Sequence, residues 1–259
     1  MHPLATMTKE EAHGIEGLLF DLDDTLLTHG TLTRAAYDAL WDLHDAGKRL
    51  VAVTGRPTRW GAMLATQWPI DAATTENGAI AIIREEKRVL VVDTCSVAER
   101  TLRRAKLMSL ADDVRKRAPD VTLADDTSLR VSDITWDIGE HVTVPRERVA
   151  FVESIIDEHG ARRSCSSVHL HATFDGDDKA TGTVRLLAER FGVDVGAART
   201  RWAFAGDSGN DRACFAAFAT TFGVANVRAS LGALSVPPRY IAPSAMGDGF
   251  AEIARALLK

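Results

Sequence analysis

Gly17-Leu18-Leu19-Phe20-Asp21-Leu22-Asp23-Asp24-Thr25 sets two carboxylates, two residues apart, directly after a glycine and three apolar residues. A short apolar run without alternation reads as a strand buried on both faces, as in a parallel sheet. In open α/β sheets ligands bind at the carboxyl ends of strands, so the position of Asp21 and Asp23 is itself a functional signal. One carboxylate can attack phosphorus while its neighbour donates and later accepts a proton. A divalent cation would relieve their repulsion, and ligation by oxygen alone favours magnesium over zinc. A polar turn that merely ends a strand would account for the same residues.

Outward from this stretch the grammar of a parallel sheet continues. Ala36, Leu40 and Leu43 recur at helical spacing between Thr33 and Ala46, Gly47 supplies a stop, and Leu50-Val51-Ala52-Val53 follows as a second strand. It ends in Thr54-Gly55-Arg56, where Thr54 could donate to a phosphoryl oxygen, Gly55 would allow close backbone approach, and Arg56 would bind phosphate or pair with a carboxylate. A third strand over 72–75 leads through the turn signal Asn77-Gly78 into a hairpin over 79–83 and 88–92.

Beyond Val92 the pattern changes. A long basic helix over 97–118 precedes strands over 121–123 and 134–138; a helix opened by Pro145 and closed by Gly160 precedes strands over 161–165 and 168–174. From Lys179 the parallel-sheet pattern returns, with a helix to Phe191, a strand over 202–205, a helix after Asn210, strands over 220–224 and 240–241, and a last helix bearing Phe250, Ile253, Ala254 and Leu257. The expected fold is α/β, a Rossmann-like doubly wound parallel core sheet in residues 1–93 and 175–259, with an α+β domain inserted at 94–174.

The chain has 259 residues, 46% of them hydrophobic and 26% charged, which is ordinary globular composition. A net charge of −5 disfavours a general nucleic-acid binder and requires that an anionic substrate be drawn in by local groups. Cys95, Cys165 and Cys214 are too few and too scattered for a disulfide framework or a zinc knuckle. No apolar run reaches the ~18 residues of a membrane span. The first fourteen residues resemble a loose tail more than a signal peptide, so the cytoplasm is the expected location.

Two more sites follow the insertion. Lys179 starts a helix, where a cation opposes the macrodipole and so suggests a specific anionic partner. Ala205-Gly206-Asp207-Ser208-Gly209-Asn210-Asp211 follows an apolar strand, and Asp207 and Asp211 frame a turn suited to holding a cation. Helix capping by Asp207, Ser208 or Asn210 is the competing account.

In that order, DLDDT, a strand-end Thr54, Lys179 and GDSGND resemble the four motifs of the haloacid dehalogenase superfamily, across residues 21 to 211. The resemblance implies that Asp21 is the nucleophile and Asp23 the general acid and base, with Thr54 and Lys179 stabilising the transferring phosphoryl group. It implies Mg²⁺ held by the Asp21 carboxylate, the Asp23 backbone carbonyl and the Asp207 carboxylate, with Asp211 as a further ligand or an anchor. Asp24 stands where a glycine is often found. Asp21 and Thr54 are too close in sequence for a domain between them, whereas the stretch from Thr54 to Lys179 is long enough. The insertion therefore resembles the smaller subtype of the type-two cap, shared by the Cof-like, sucrose-phosphate and mannosyl-phosphoglycerate phosphatases. Such a cap would exclude water and read the leaving group.

The implied activity is magnesium-dependent hydrolysis of a phosphorylated sugar or similar small metabolite through an aspartyl-phosphate. A phosphosugar mutase would use the same residues, and a catalytically idle ligand-binding module is the reading from another class. Gly55, Arg56, Asn77, His171 and Asn210 are candidate substrate contacts. His169 and His171 share one face of a strand; half-exposed sheet histidines and a structural turn at Asn77 are the plainer readings. The basic run Arg100, Arg103, Arg104 and Lys106 reads as a solvated helix face, or less often as a phosphate attractor. The expected partner is a small phosphorylated metabolite, with no nucleic acid or membrane, for a monomer or small homo-oligomer.

Overall fold

In the computed structural model, which describes residues 1–166 and 168–259, the first residues are ordered, against the expectation of a loose tail. His2–Pro3 (β1) pairs in parallel with Tyr240–Ile241 near the chain end. Lys9–His13 (α1) is a single turn closed by a reciprocal cap: Thr8 Oγ1 accepts from the Glu11 amide at 3.2 Å, and Glu11 Oε2 accepts from the Thr8 amide at 2.9 Å.

Two units separate by their contacts, one of Met1–Arg56, Trp60–Val92 and Asp177–Lys259, the other of Pro57–Arg59 and Asp93–Gly176. Along the chain, β2 (Gly17–Phe20), α2 (Arg34–Asp45), β3 (Arg49–Val53), α3 (Thr58–Gln67), β4 (Ala72–Thr75), β5 (Ile80–Glu85) and β6 (Arg88–Asp93) come first. Then come α4 (Val97–Arg117), β7 (Asp133–Asp137), α5 (Arg146–Glu158), β8 (Arg162–Cys165) and β9 (His169–Thr173). The chain closes with α6 (Lys179–Phe191), α7 (Val195–Arg201), β10 (Trp202–Gly206), α8 (Arg212–Ala217), β11 (Thr220–Gly223), β12 (Tyr240–Ile241) and α9 (Met246–Leu257). No helix is long and apolar enough to cross a membrane among the described residues.

The first unit is built on a nine-stranded sheet of order β1-β12-β11-β10-β2-β3-β4-β5-β6. Its strands run parallel from β1 to β4, and β5 returns antiparallel to β4. Both faces are covered, which is why β2 shows no alternation. Leu18 and Phe20 join one apolar layer with Leu40, Phe250 and Ile253, while Leu19 joins the other with Leu187, Phe204 and Phe215. Fully burying a side chain such as Phe20 contributes about 1.5–3 kcal/mol. Trp202 on β10 stands opposite Gly17 on β2, and a Cβ at Gly17 would lie 2.5 Å from two atoms of that ring.

The second unit carries an antiparallel sheet of order β7-β9-β8, with one apolar face of Ile134, Trp136, Leu170 and Ala172 packed among residues of α4 and α5. Among the described residues the strand expected over 121–123 is absent; an isolated bridge joins Leu123 to Trp136, and the chain then coils into a short helical turn at Asp125–Leu129. Of the basic run, Lys106 is exposed, but the three arginines are not a solvated face. Arg100 bridges Asp93 and Asp175 at 2.7 and 2.6 Å, Arg103 reaches Asp175 at 2.6 Å, and Arg104 donates to the Asp133 carbonyl at 2.9 Å. Asp93 and Asp175, near the two ends of this unit, are acceptors that no helical periodicity reveals.

Candidate active site

The register of β2 against β10 fixes the heart of the site. Gly17 pairs with Trp202 and Phe20 with Ala205, and the Asp21 amide donates to the Ala205 carbonyl at 2.9 Å, so Asp21 and Asp207 emerge side by side. These strands lead away in opposite directions across the sheet, toward β3 and toward β11, which makes their carboxyl ends a switch point for ligand binding. Beyond Asp21 the chain makes one wide turn, closed by the Leu27 amide donating to the Leu22 carbonyl at 2.8 Å, with Asp24 in the left-handed region at φ 56°.

One ligand oxygen from each of Asp21, Asp207 and Asp211 falls within 4.8 Å of the others, and all three residues are buried. Lys179, 1% exposed at the start of α6, donates to Asp21 Oδ1 at 2.6 Å and to Asp211 Oδ1 at 2.8 Å. The second Asp211 oxygen accepts from the amides of Asp207 and Ser208 at 2.9 and 3.1 Å, so Asp211 shapes the turn that presents Asp207. Burial pushes the Asp21 carboxyl up to about 7, against the pull of Lys179. Burial, reinforced by the Asp211 and Asp21 charges, pushes Asp207 up to about 9. Burial works against the Lys179 ammonium, but the two carboxylates beside it outweigh that and hold its pKa above the ordinary value. One ammonium thus leaves three clustered carboxylates short of positive charge. Hard oxygen donors with unmet negative charge suit a hard divalent cation.

Asp23 points to a different partner. Arg56 grips its carboxylate with Nε 3.0 Å from Oδ2 and Nη2 2.7 Å from Oδ1, and the same guanidinium lies 4.8 Å from the centre of the Trp60 ring. Thr54 is fully buried; its Oγ1 accepts from the Arg56 amide at 3.0 Å and its carbonyl accepts from the Asn77 amide at 3.1 Å. That bond draws the turn after β4 to the end of β3, beside Gly55. Glu76 and Asn77 both occupy left-handed backbone, at φ 50° and 56°, and the buried Asn77 Oδ1 has no hydrogen-bond partner among the described residues. The turn also meets α6: a Cβ at Gly182 would lie 2.7 Å from both the Cα and the carbonyl carbon of Gly78, and closer to its oxygen. Lys179 starts the helix held by that contact. Asn210 Oδ1 accepts from Ser208 Oγ at 2.7 Å, inside the turn that carries Asp207.

His171 lies in the second unit, apart from the carboxylate cluster in chain position and partners. Its Nδ1 is 2.9 Å from both Asp133 Oδ2 and Thr135 Oγ1, and Asp133 is paired with the buried Arg130 at 3.1 Å. His169 pairs with Glu140 at 2.7 Å. Both histidines are 3% exposed, not half exposed as open-sheet residues would be.

Two residues to which the sequence reading gives no role hold Asp207. Thr25 Oγ1 donates to its Oδ1 at 3.2 Å, and Asn226 Nδ2 donates to its Oδ2 at 2.9 Å and to the Asp24 carbonyl at 2.9 Å. Asn226 lies three residues beyond β11, so the strand-end rule that picked out Asp21 and Asp207 extends to it.

The fold matches several solved structures. A protein from Thermoplasma acidophilum superposes with a TM-score of 0.73 at 17% identity, covering 94% of this chain and 98% of its own. A phosphatase of the haloalkanoate superfamily from Bacteroides thetaiotaomicron gives 0.62 at 21% identity over 94% of each chain. The sucrose-phosphatase from Synechocystis, in complex with sucrose and phosphate, gives 0.63 at 15% identity over 94% of this chain and 98% of its own. No curated protein matches by sequence. Residues 18–134, which hold Asp21, Asp23 and Thr54, match the haloacid dehalogenase-like hydrolases, and the fold around them is the one these solved structures share.

Proposed function

We propose that the protein is a magnesium-dependent phosphatase that hydrolyses a phosphate monoester of a sugar or related small metabolite through an aspartyl-phosphate on Asp21. The observation that carries this reading is the buried Lys179 ammonium, 2.6 Å from Asp21 Oδ1 and beside Asp207 and Asp211. A cation fixed against a strand-end carboxylate supplies charge where phosphoryl oxygens would gather during transfer. The likeness of the fold to a sucrose-phosphatase supports a sugar phosphate as the substrate class.

Asp21 attacks phosphorus; as its O–P bond forms, the ester O–P bond breaks and Asp23 gives its proton to the departing alkoxide. Asp23, then a carboxylate, takes a proton from water as the water oxygen attacks phosphorus. The Asp21–phosphorus bond breaks, releasing phosphate and restoring both side chains. Lys179 and Thr54 hold the phosphoryl oxygens, Gly55 and Asn210 border them, and Arg56 fixes where the Asp23 carboxyl sits. The Asp21 and Asp207 carboxylates and the Asp23 carbonyl would hold Mg²⁺, with Asp211 as a ligand or anchor; when bound, the ion neutralises charge on the phosphoryl oxygens. Residues 94–174, with His171 among them, serve as a cap that selects the leaving group, and Asn77 contributes its free acceptor.

The test is phosphate release from an aryl phosphate and a panel of phosphorylated sugars, with Mg²⁺. Asp21→Asn is expected to lower kcat by at least about 10⁴-fold, since loss of a covalent nucleophile is rarely compensated. Turnover near the wild-type rate in that variant, with its fold verified by circular dichroism, would sink the assignment.

A further inference from the structure

The two edges of the nine-stranded sheet are treated differently. An edge strand exposes a row of unpaired amides and carbonyls, and proteins blunt it by shortness, charge, proline or a bulge. β1, at one edge, has only two residues. β6, at the other, has six, Arg88-Val89-Leu90-Val91-Val92-Asp93, with no proline, no glycine and no charge between its ends. Among the described residues, Arg88 to Val92 make no backbone hydrogen bond outside the sheet ladder. Val91 is 55% exposed, and Val89, Leu90 and Val92 are half-buried.

We propose that this edge is a homodimer interface in which β6 pairs antiparallel with β6 of a second copy about a two-fold axis at Leu90. The charge pattern selects this partner and register. Antiparallel self-pairing about Leu90 sets Lys87 against Asp93 of the second copy and Val89 against its Val91, twice over by symmetry. Lys87 has no ion pair or hydrogen bond of its own among the described residues. Shifting the axis to Val91 would instead set the Asp93 carboxylate against Val89. Residues that face one another across an antiparallel pair share a side of the sheet. Val89 belongs with the apolar layer of α2 and α9, whereas Leu90 and Val92 belong with the layer of α6 and α8, so the seam continues both layers from one copy into the next.

Sedimentation velocity of the full chain between about 1 and 100 µM tests the proposal, since specific protein–protein interfaces have dissociation constants from micromolar downward. The wild type is expected to sediment at twice the chain mass. Val91→Lys puts an ammonium on each side of the seam and is expected to give single chains, with circular dichroism and aryl-phosphate turnover unchanged. Lys87→Glu sets like charges opposite Asp93 and is expected to weaken the dimer by about tenfold. A wild type that stays a single chain throughout, or a dimer that Val91→Lys leaves intact, overturns the proposal.

Discussion

Gly182→Ala tests whether Lys179 is placed by the packing of α6 against the turn after β4. A methyl at position 182 would lie 2.7 Å from the Gly78 Cα and carbonyl carbon. Carbon atoms pack at about 3.5 Å or more, so helix and turn must part by on the order of 1 Å. The Lys179 to Asp21 hydrogen bond is 2.6 Å long, and an added ångström takes it beyond hydrogen-bonding range. Misplacing a catalytic group by that distance costs up to about 100-fold in rate. Overpacking should also cost about 1–3 kcal/mol, seen as a thermal midpoint lower by roughly 2–8 °C. The assay is kcat/KM on an aryl phosphate at saturating Mg²⁺, beside thermal melting. Gly232→Ala, where a Cβ meets nothing within 4 Å, is the control. If Gly182→Ala stays within twofold of wild type, α6 does not set the position of Lys179.

Asn226→Ala removes the donor to Asp207 Oδ2 and should weaken Mg²⁺ binding by about 10–100-fold, as loss of a ligand's supporting bond does, while kcat at saturating metal changes less; titration calorimetry would expose an unchanged affinity. Because Asp21 titrates at about 7 and Asp207 at about 9 without metal, Mg²⁺ must displace protons below those values. Its affinity should rise with pH between about 6 and 9, by up to about tenfold per unit for each proton released, and a flat dependence would contradict the ligand set. Burial holds the His171 imidazole neutral, its pKa below the ordinary 6.5 despite the help of Asp133. The unfolded chain then binds a proton that the folded chain does not, so this contribution is complete above about pH 6.5 and fades as pH falls below it, by up to about 1.4 kcal/mol per unit. His171→Gln should flatten the fall in thermal midpoint between about pH 6.5 and 5; an equally steep fall would show that other groups cause it.

Asp21, Lys179, Asp207 and Asp211, which the structure brings together, were legible because each follows a short apolar strand or opens a helix, and alternation of strands with helices predicts where such ends converge. Their partners were not. That Asp211 spends one oxygen on two amides depends on the shape of a single turn, and that Arg56 grips Asp23 depends on the adjacency of β2 and β3. Arg100 and Arg103 read as solvent-facing because their acceptors, Asp93 and Asp175, lie outside their helix. The strand expected over 121–123 had the right residues, but little more than the Leu123 bridge survives before the chain turns at Asp125. The order at the amino end was readable, since Thr8-Lys9-Glu10-Glu11 spells a capping box.

The Trp202 ring fills the space that a side chain at Gly17 would need, and its buried Nε1 has no hydrogen-bond partner among the described residues. Leaving that donor unmet costs about 1–3 kcal/mol. What it secures is alignment: sliding β2 by one residue along β10 would drive the ring into a side chain and carry Asp21 about 3.3 Å past Asp207. The distance from Gly17 to Asp21 in residues equals that from Trp202 to Gly206, so notch and peg at one end of the sheet act as a vernier for the carboxylates at the other. Inserting one residue within either strand would dismantle the site. The loops between the strands are free of that constraint, and there the chain can lengthen without disturbing the reacting groups.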